Sequence, residues 1–303
     1  MKSKKENNRR FYSLNDYFKE TIGEKIYKVS LDGGFTCPNR DGSISSGGCI
    51  FCSDAGSGEF AGNKIKSITE QIDEQLLFLG KKIGEGKVIA YFQNFTNTYG
   101  NVEYLEKIYY EALKHPRVLG LAIGTRPDCL QEDIVKLLER INNNYLLWIE
   151  LGLQSSNEEV AKKINRGYPY SVYKEASKNL KYKNIKFVTH MIIGLPNEDN
   201  ESIIKTANDI VESGAWGIKI HSLHIIKETK MEAIYKIKPF KIFTLEEYVN
   251  IVVDILKILP PKMVVHRVTG DGKKDEVLEP IWSLNKRKVL NEIEKELKKR
   301  EEY

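Results

Sequence analysis

A chain of 303 residues, 41% hydrophobic and 29% charged, can bury the core of one large domain or two small ones. No apolar run approaches the roughly 20 residues that span a bilayer, and the start "MKSKKENNRR" is basic with no apolar stretch behind it. Neither a membrane protein nor a secreted one is expected, and the cytoplasm is the expected compartment. The net charge of +5 gathers at the ends, residues 2–10 and 286–300, where a solvated surface is the ordinary reading and weak attraction to a polyanion such as RNA the sharper one.

Residues 1–25 read as a basic N-terminal extension. The first strand is "IYKVSL" (26–31), and a Gly- and Asn-rich loop behind it carries Cys37, Cys49 and Cys52. Ser67-x-x-Glu70 then opens a helix as a capping box. Next come the strand "KVIAYFQ" (87–93) and a helix marked by Val102, Leu105, Ile108, Tyr109, Ala112 and Leu113. The strands "VLGLAIG" (118–124) and "YLLWIELG" (145–152) follow, with a further capping box expected at Ser156-x-x-Glu159. After "KFVTHMIIG" (186–194) and "WGIKIHSLHI" (216–225), Thr244-x-x-Glu247 opens a helix carrying Tyr248, Ile251, Val252, Ile255 and Leu259. "MVVHRV" (263–268) completes the strands. Residues 271–303 form a C-terminal segment with a basic amphipathic helix along Leu290, Ile293 and Leu297.

Strands alternating with helices predict a parallel sheet with right-handed crossovers. Leu147, Ile149, Leu151 and Leu153 share one face of their strand, while Trp148, Glu150, Gly152 and Gln154 share the other. Ile218 and Ile220 likewise oppose Lys219 and His221. A sheet covered by helices on both sides would be apolar on both, so one polar face points to a barrel interior. The expected fold is α/β, an open TIM-like barrel of the partial (β/α)6 type over residues 26–270, with short extensions at both ends.

Three of the four cysteines lie within "CPNRDGSISSGGCIFC" (37–52), just after the first strand. Cys49 and Cys52 form C-x-x-C, and eleven residues separate Cys37 from Cys49. A structural zinc site would need a fourth ligand, and Cys129 stands alone. A thioredoxin-like pair would leave Cys37 unexplained. A 4Fe–4S cluster on three thiolates would leave one iron open to a small molecule. Spacing does not decide among these.

Further motifs follow in order: "QNFTNTYG" (93–100), "GTRPDCL" (124–130), "ELGLQS" (150–155), "INRGY" (164–168), "IIGLPNE" (192–198), "KIHSLHI" (219–225) and "HRVTGD" (266–271). Together with the cysteine stretch, this set resembles the radical S-adenosylmethionine (SAM) superfamily over about residues 10 to 280. Within it, the long first cysteine spacing resembles the YhcC/YtqA-type group related to the elongator catalytic subunit.

That resemblance implies a 4Fe–4S cluster on Cys37, Cys49 and Cys52, with SAM at the fourth iron. It implies Phe51 near the adenine, Gln93, Thr96 and Thr98 at the SAM amino group, and Glu150 and Gln154 at the ribose. Arg166 would pair with the SAM carboxylate, and Ile192 and Gly194 would flank the adenine. A diol suits carboxylate or amide acceptors, and a carboxylate suits an Arg fork. Cys129 reads as a small buried hydrophobe and His190 as a satisfied core histidine.

The implied chemistry is reductive cleavage of SAM by one electron, from a donor such as flavodoxin or ferredoxin, giving a radical that abstracts hydrogen. Lys219, His221 and Arg267 are the expected catalytic residues at the barrel mouth, with His224 and Lys227 as further substrate contacts. The resemblance points to tRNA as substrate, and to conversion of a carboxymethylaminomethyl group to aminomethyl on the wobble uridine. A radical SAM enzyme for a small metabolite or peptide is the alternative, as is a zinc-holding RNA-binding protein without catalysis.

Overall fold

The protein is described by a computed structural model over residues 10–54, 56 and 61–301. The strands in chain order are β1 (Tyr27–Leu31), β2 (Val88–Phe92), β3 (Val118–Thr125), β4 (Leu146–Gln154), β5 (Lys186–Ile193), β6 (Gly217–Ser222), β7 (Ile225–Ile226), β8 (Val264–Arg267) and β9 (Val277–Glu279). Helices α1 (Leu14–Thr21), α2 (Ile68–Leu79), α3 (Val102–Lys114), α4 (Glu132–Asn142) and α5 (Glu158–Lys163) belong to the first half. Helices α6 (Tyr170–Tyr182), α7 (Asn200–Glu212), α8 (Lys230–Ile237), α9 (Leu245–Ile258) and α10 (Lys286–Glu301) belong to the second.

One sheet of seven parallel strands, ordered β1-β2-β3-β4-β5-β6-β8, curls into a half-barrel. All seven strands expected from the sequence join it, the last of them, "MVVHRV", as β8 pairing on β6. The strand expected across 216–225 is broken at Leu223, and Ile225–Ile226 instead pairs antiparallel with Val277–Glu279.

The alternation read from the sequence sorts the two faces. Leu147, Ile149, Leu151 and Leu153 of β4 are each at most 1% exposed and pack with Ile218, Ile220, Tyr248 and Val252 in the outer layer between sheet and helices. Each such side chain contributes about 1.5–3 kcal/mol by leaving water. On the inner face, Trp148 packs with Ile89, Ala122 and Val188, and Phe18 of α1 closes that end from below. Ser13 fixes α1 through a capping box with Asp16 and pairs with Val265 at the sheet edge. The barrel floor is therefore apolar and sealed.

Two local expectations change. Ser156 does not cap α5; Asn157 does, its Oδ1 accepting from Glu159 N at 2.9 Å. Ser156 is drawn inward instead, its hydroxyl 3.2 Å from the Thr206 hydroxyl. On α10 the buried stripe is Val289, Ile293 and Leu297, with Leu290 at its edge.

α10 lies against α9, and Arg300 near its end is held by Asp254, Glu296 and Asn250. Arg10 meets Glu301 there. The remaining basic positions of the N-terminal run, up to residue 9, lie outside the described residues.

Candidate active site

Above the sealed floor the inner face turns polar, because strand after strand contributes charged or hydrogen-bonding side chains to it. Lys28 of β1, Tyr91 of β2, Glu150 of β4, His190 of β5, Lys219 of β6 and Arg267 of β8 line a chamber of about 400 Å³. Registry sets the ring on a slant: Lys219 pairs directly with Arg267, while Tyr91 pairs with Ser30, two residues after Lys28, and His190 with Gly152, two residues after Glu150. Gly124 of β3 belongs to the wall, where an added Cβ would stand 3.3 Å from the Phe92 carbonyl oxygen.

Glu150 sits at the centre of this layer, 1% exposed. It accepts from Lys219 Nζ, from Trp148 Nε1 at 3.0 Å and from His190 Nε2 at 2.9 Å, with Lys28 Nζ at 3.6 Å. Burial alone would raise its carboxyl; the Lys219 and Lys28 ammoniums, with His190, outweigh that and hold it well below the usual carboxylate range. Several cations share this one carboxylate, so burial pulls Lys219 and Lys28 downward. Burial, with Lys219 beside it, takes His190 down to about 4, leaving a neutral imidazole at neutral pH. His221, whose ring lies 5.2 Å from that of His190, is also held well below its ordinary value by burial.

The cysteine loop forms the other wall: Cys37, Cys49, Cys52 and Phe51 all line the same chamber. The loop is braced from several sides. Asn39 donates to Asn165 O at 2.6 Å and to Cys49 Sγ at 3.7 Å, Asn165 donates to Gly48 O at 2.9 Å, and Ile50 N donates to Ile164 O at 3.0 Å. Arg40 donates to Ser53 O at 2.5 Å. Cys49 is held well above its usual range, first by its hydrogen bond with Cys52, then by burial, with Cys52 and Cys37 adding repulsion. Arg126 faces these sulfurs, and although burial opposes its charge, the Asp128 carboxylate forked onto it more than restores it.

A thiol held up in this way, as Cys49 is, needs a cation beside it to become a thiolate. Among the described residues, no three His, Cys, Asp or Glu side chains converge on a point where a single ion would sit. A cuboidal cluster asks for sulfurs spread around its faces. The chamber beside them holds a further unmet need: Thr96 Oγ1 is buried on its wall without a partner. The residues fit an iron–sulfur cluster with a polar ligand next to it.

The expected site residues divide. Phe51, Gln93, Thr96 and Gln154 line the chamber, and Gln154 is aimed there by a bulge after Gly152 and a left-handed backbone (φ 68°) at the end of β4. Phe51 and Ile192 also line an adjoining outer cavity of about 520 Å³, shared by Gln93, Gln154, His190, His221 and Arg267. Thr98 is turned away, its hydroxyl 2.6 Å from Thr125 and 2.5 Å from Cys129 O. Gly194 borders a separate small cavity beside Phe243 and Trp282.

Arg166 lines the chamber but uses its guanidinium structurally. It donates to Leu153 O, Ser155 O and Tyr168 O at 2.5–3.0 Å, with Glu158 at 3.5 Å. No fork is left for a carboxylate. Glu150, saturated by cations, is in the same position with respect to a ribose. Lys227 lies off the chamber, donating to Asp275 O at 2.5 Å. His190, expected in the core, is instead on the chamber wall; its place two residues before Ile192 on the polar face of β5 was the signal that could have found it. Lys28 and Tyr91 were missed for want of a motif around them.

The outer cavity ends in a mouth lined by His224, Asp271, Lys286 and the exposed ring of Phe78. Asp271 pairs with both Arg267 and Lys286. Among the described residues of the basic ends, Lys286 in the first turn of α10 lines the opening.

The profile described as the radical SAM superfamily matches residues 39–210, and that described as the Radical_SAM C-terminal domain matches residues 215–299. YtqA of Bacillus subtilis is 43% identical over 295 residues, covering 97% of this chain and 92% of its own. YhcC of Escherichia coli K12 is 33% identical over 276 residues, covering 91% and 88%. Elongator complex protein 3 of Homo sapiens is 30% identical over 171 residues, 54% of this chain but 30% of that one. Among solved structures, Elp3 from the archaeon Methanocaldococcus infernus superposes with a TM-score of 0.68 at 19% identity, covering 89% of this chain and 63% of that one. A likeness at that identity shows the fold. With the cysteine loop at the mouth of a parallel half-barrel and matches over nearly its whole length, the chain belongs to the radical SAM superfamily, in a group similar to elongator complex protein 3.

Proposed function

We propose that this radical SAM enzyme acts on the side chain of a tRNA wobble uridine, turning a carboxymethylaminomethyl group into aminomethyl. The observation that carries the reading is the presence in one chamber of a three-cysteine wall and a layer of cations, of which Lys219 is buried and Lys28 and Arg267 partly so. Cys37, Cys49 and Cys52 would hold the cluster, and Gln154, Gln93, Thr96 and Phe51 would contact SAM. When bound, cluster and SAM supply the electron and the radical that removes hydrogen from carbon. The carboxymethyl unit would leave as glyoxylate: SAM, taken to methionine and 5′-deoxyadenosine, is the two-electron oxidant, and water hydrolyses the resulting imine to free the amine.

Other residues orient the substrate. Phe78, exposed at the mouth, offers a ring on which a base can stack, and Lys286 offers a phosphate partner. The likeness to elongator complex protein 3 supports a wobble-uridine substrate, and a flavodoxin or ferredoxin would deliver the electron. No helix among the described residues is long and apolar enough to cross a membrane.

Mass spectrometry of tRNA nucleosides from cells with and without the gene tests the proposal. Loss of the gene should leave carboxymethylaminomethyluridine in place and remove products derived from aminomethyluridine. Unchanged nucleosides would overturn the tRNA reading and leave the radical chemistry standing.

A further inference from the structure

Three cations meet in the middle layer of the barrel, and the carboxylates beside them do not balance their charge. Lys28, Lys219 and Arg267 contribute three positive charges; Glu150 and Asp271 contribute two negative ones, leaving one positive charge over. His190 and His221 add none while their imidazoles stay neutral. Lys286, at the opening, also pairs with Asp271; counting it, four positive charges face two negative ones and the surplus is two.

The surplus is also unmet in its hydrogen bonds. Lys219, 3% exposed, has three N–H donors and directs two, to Glu150 and to Tyr91 Oη at 3.1 Å. His221 Nε2 is buried on the same wall with no partner. Lys28 Nζ lies 4.7 Å from the centre of the Tyr91 ring, with Glu150 as its nearest carboxylate at 3.6 Å. A buried surplus of this kind costs free energy in the empty protein, and a ligand of matching charge relieves it.

We propose that Lys28, Lys219 and Arg267, with His221 beside them, form a seat for a single carboxylate carried by the substrate, and that Glu150 is the counter-ion that gathers them. The seat and the cysteines line one chamber, so a substrate anchored there by its carboxylate would hold the neighbouring carbon within the space the cofactor shares. The inference rests on the reading of this chamber as the place of reaction, and it holds for a carboxylate on a nucleoside, a metabolite or a peptide.

The test uses acetate as probe, on iron-loaded protein held without oxygen. Melting temperatures are compared in sodium acetate, sodium chloride and sodium sulfate at equal ionic strength. Wild type should gain several degrees in acetate over chloride, saturably. Lys28→Met should lose most of that gain, while melting no lower than wild type in chloride because it removes an unmatched charge. Equal curves in acetate and chloride for the wild type would overturn the seat, as would an acetate gain that survives in Lys28→Met, which would belong to the surface. A gain with sulfate and none with acetate would overturn the carboxylate assignment. Acetate should also inhibit turnover competitively. If cellular tRNA proves unaffected while the acetate gain depends on Lys28, the substrate is a different carboxylate and the seat stands.

Discussion

Replacing Glu150 with Gln removes the charge that Lys219 and Lys28 share, while keeping the volume and an acceptor for Trp148. Lys219 is 3% exposed and cannot turn to water. Breaking a buried pair from one side costs about 3–5 kcal/mol, which the variant reduces by releasing the Lys219 proton. That response gives a signature in pH. A lysine whose folded pKa is depressed binds fewer protons than the unfolded chain at any pH between its folded value and about 10.4. Stability therefore rises with pH across that window, by up to about 1.4 kcal/mol per pH unit for one proton.

Burial lowers Lys219 in the wild type too, and losing Glu150 lowers it further, so urea unfolding of cluster-free Glu150→Gln should show a loss of several kcal/mol at pH 7 that shrinks toward pH 9, on a slope steeper than the wild type's. In the wild type, Glu150 stabilises above the unfolded carboxylate pKa, and that contribution is lost only as the pH falls through its depressed folded value. The double variant Glu150→Gln, Lys219→Met should recover most of the loss and flatten the slope. A single variant within about 1 kcal/mol of wild type at pH 7, with the same slope, would refute the idea that Glu150 neutralises this layer.

Three further outcomes follow from the site. Changing Cys37, Cys49 or Cys52 to Ala should abolish iron binding and colour after anaerobic reconstitution, whereas Cys129→Ala, whose thiol is buried away from the chamber beside Asp128, should retain both; iron analysis and absorbance decide. Gln154→Ala should weaken SAM binding by about 0.5–1.5 kcal/mol in calorimetry while iron content stays unchanged. Arg166→Ala should lower the melting temperature strongly, because several buried carbonyls lose their donor at about 1–3 kcal/mol each; a variant of normal stability with weakened SAM binding would restore the carboxylate role expected from its motif.

The sheet was legible because period-two alternation is plain in strands such as β4: Ile149 and Leu151 face the helices, Glu150 and Gly152 the interior. The cysteine loop was legible from composition and spacing. What failed to show was anything set by backbone turns or by distant partners. Thr96 and Thr98 look equivalent in "QNFTNTYG", yet Phe95 takes a left-handed backbone (φ 57°), and the turn sends Thr96 to the chamber and Thr98 beneath β3. Arg166 reads as a free fork, but three carbonyls from the β4 bulge and the "INRGY" turn close around it. Glu150 reads as a ribose acceptor; only the curl of the sheet, which brings β1 and β6 across from β4, shows that its partners are lysines.

The central claim is reductive SAM cleavage at a cluster held by three cysteines. Its most direct test is anaerobic reconstitution followed by incubation with SAM and a strong one-electron reductant, measuring iron, methionine and 5′-deoxyadenosine together. The account predicts about four irons per chain and equal amounts of the two products, all lost in Cys49→Ala. Stoichiometric zinc without iron, or a loaded cluster that yields no 5′-deoxyadenosine, would contradict it.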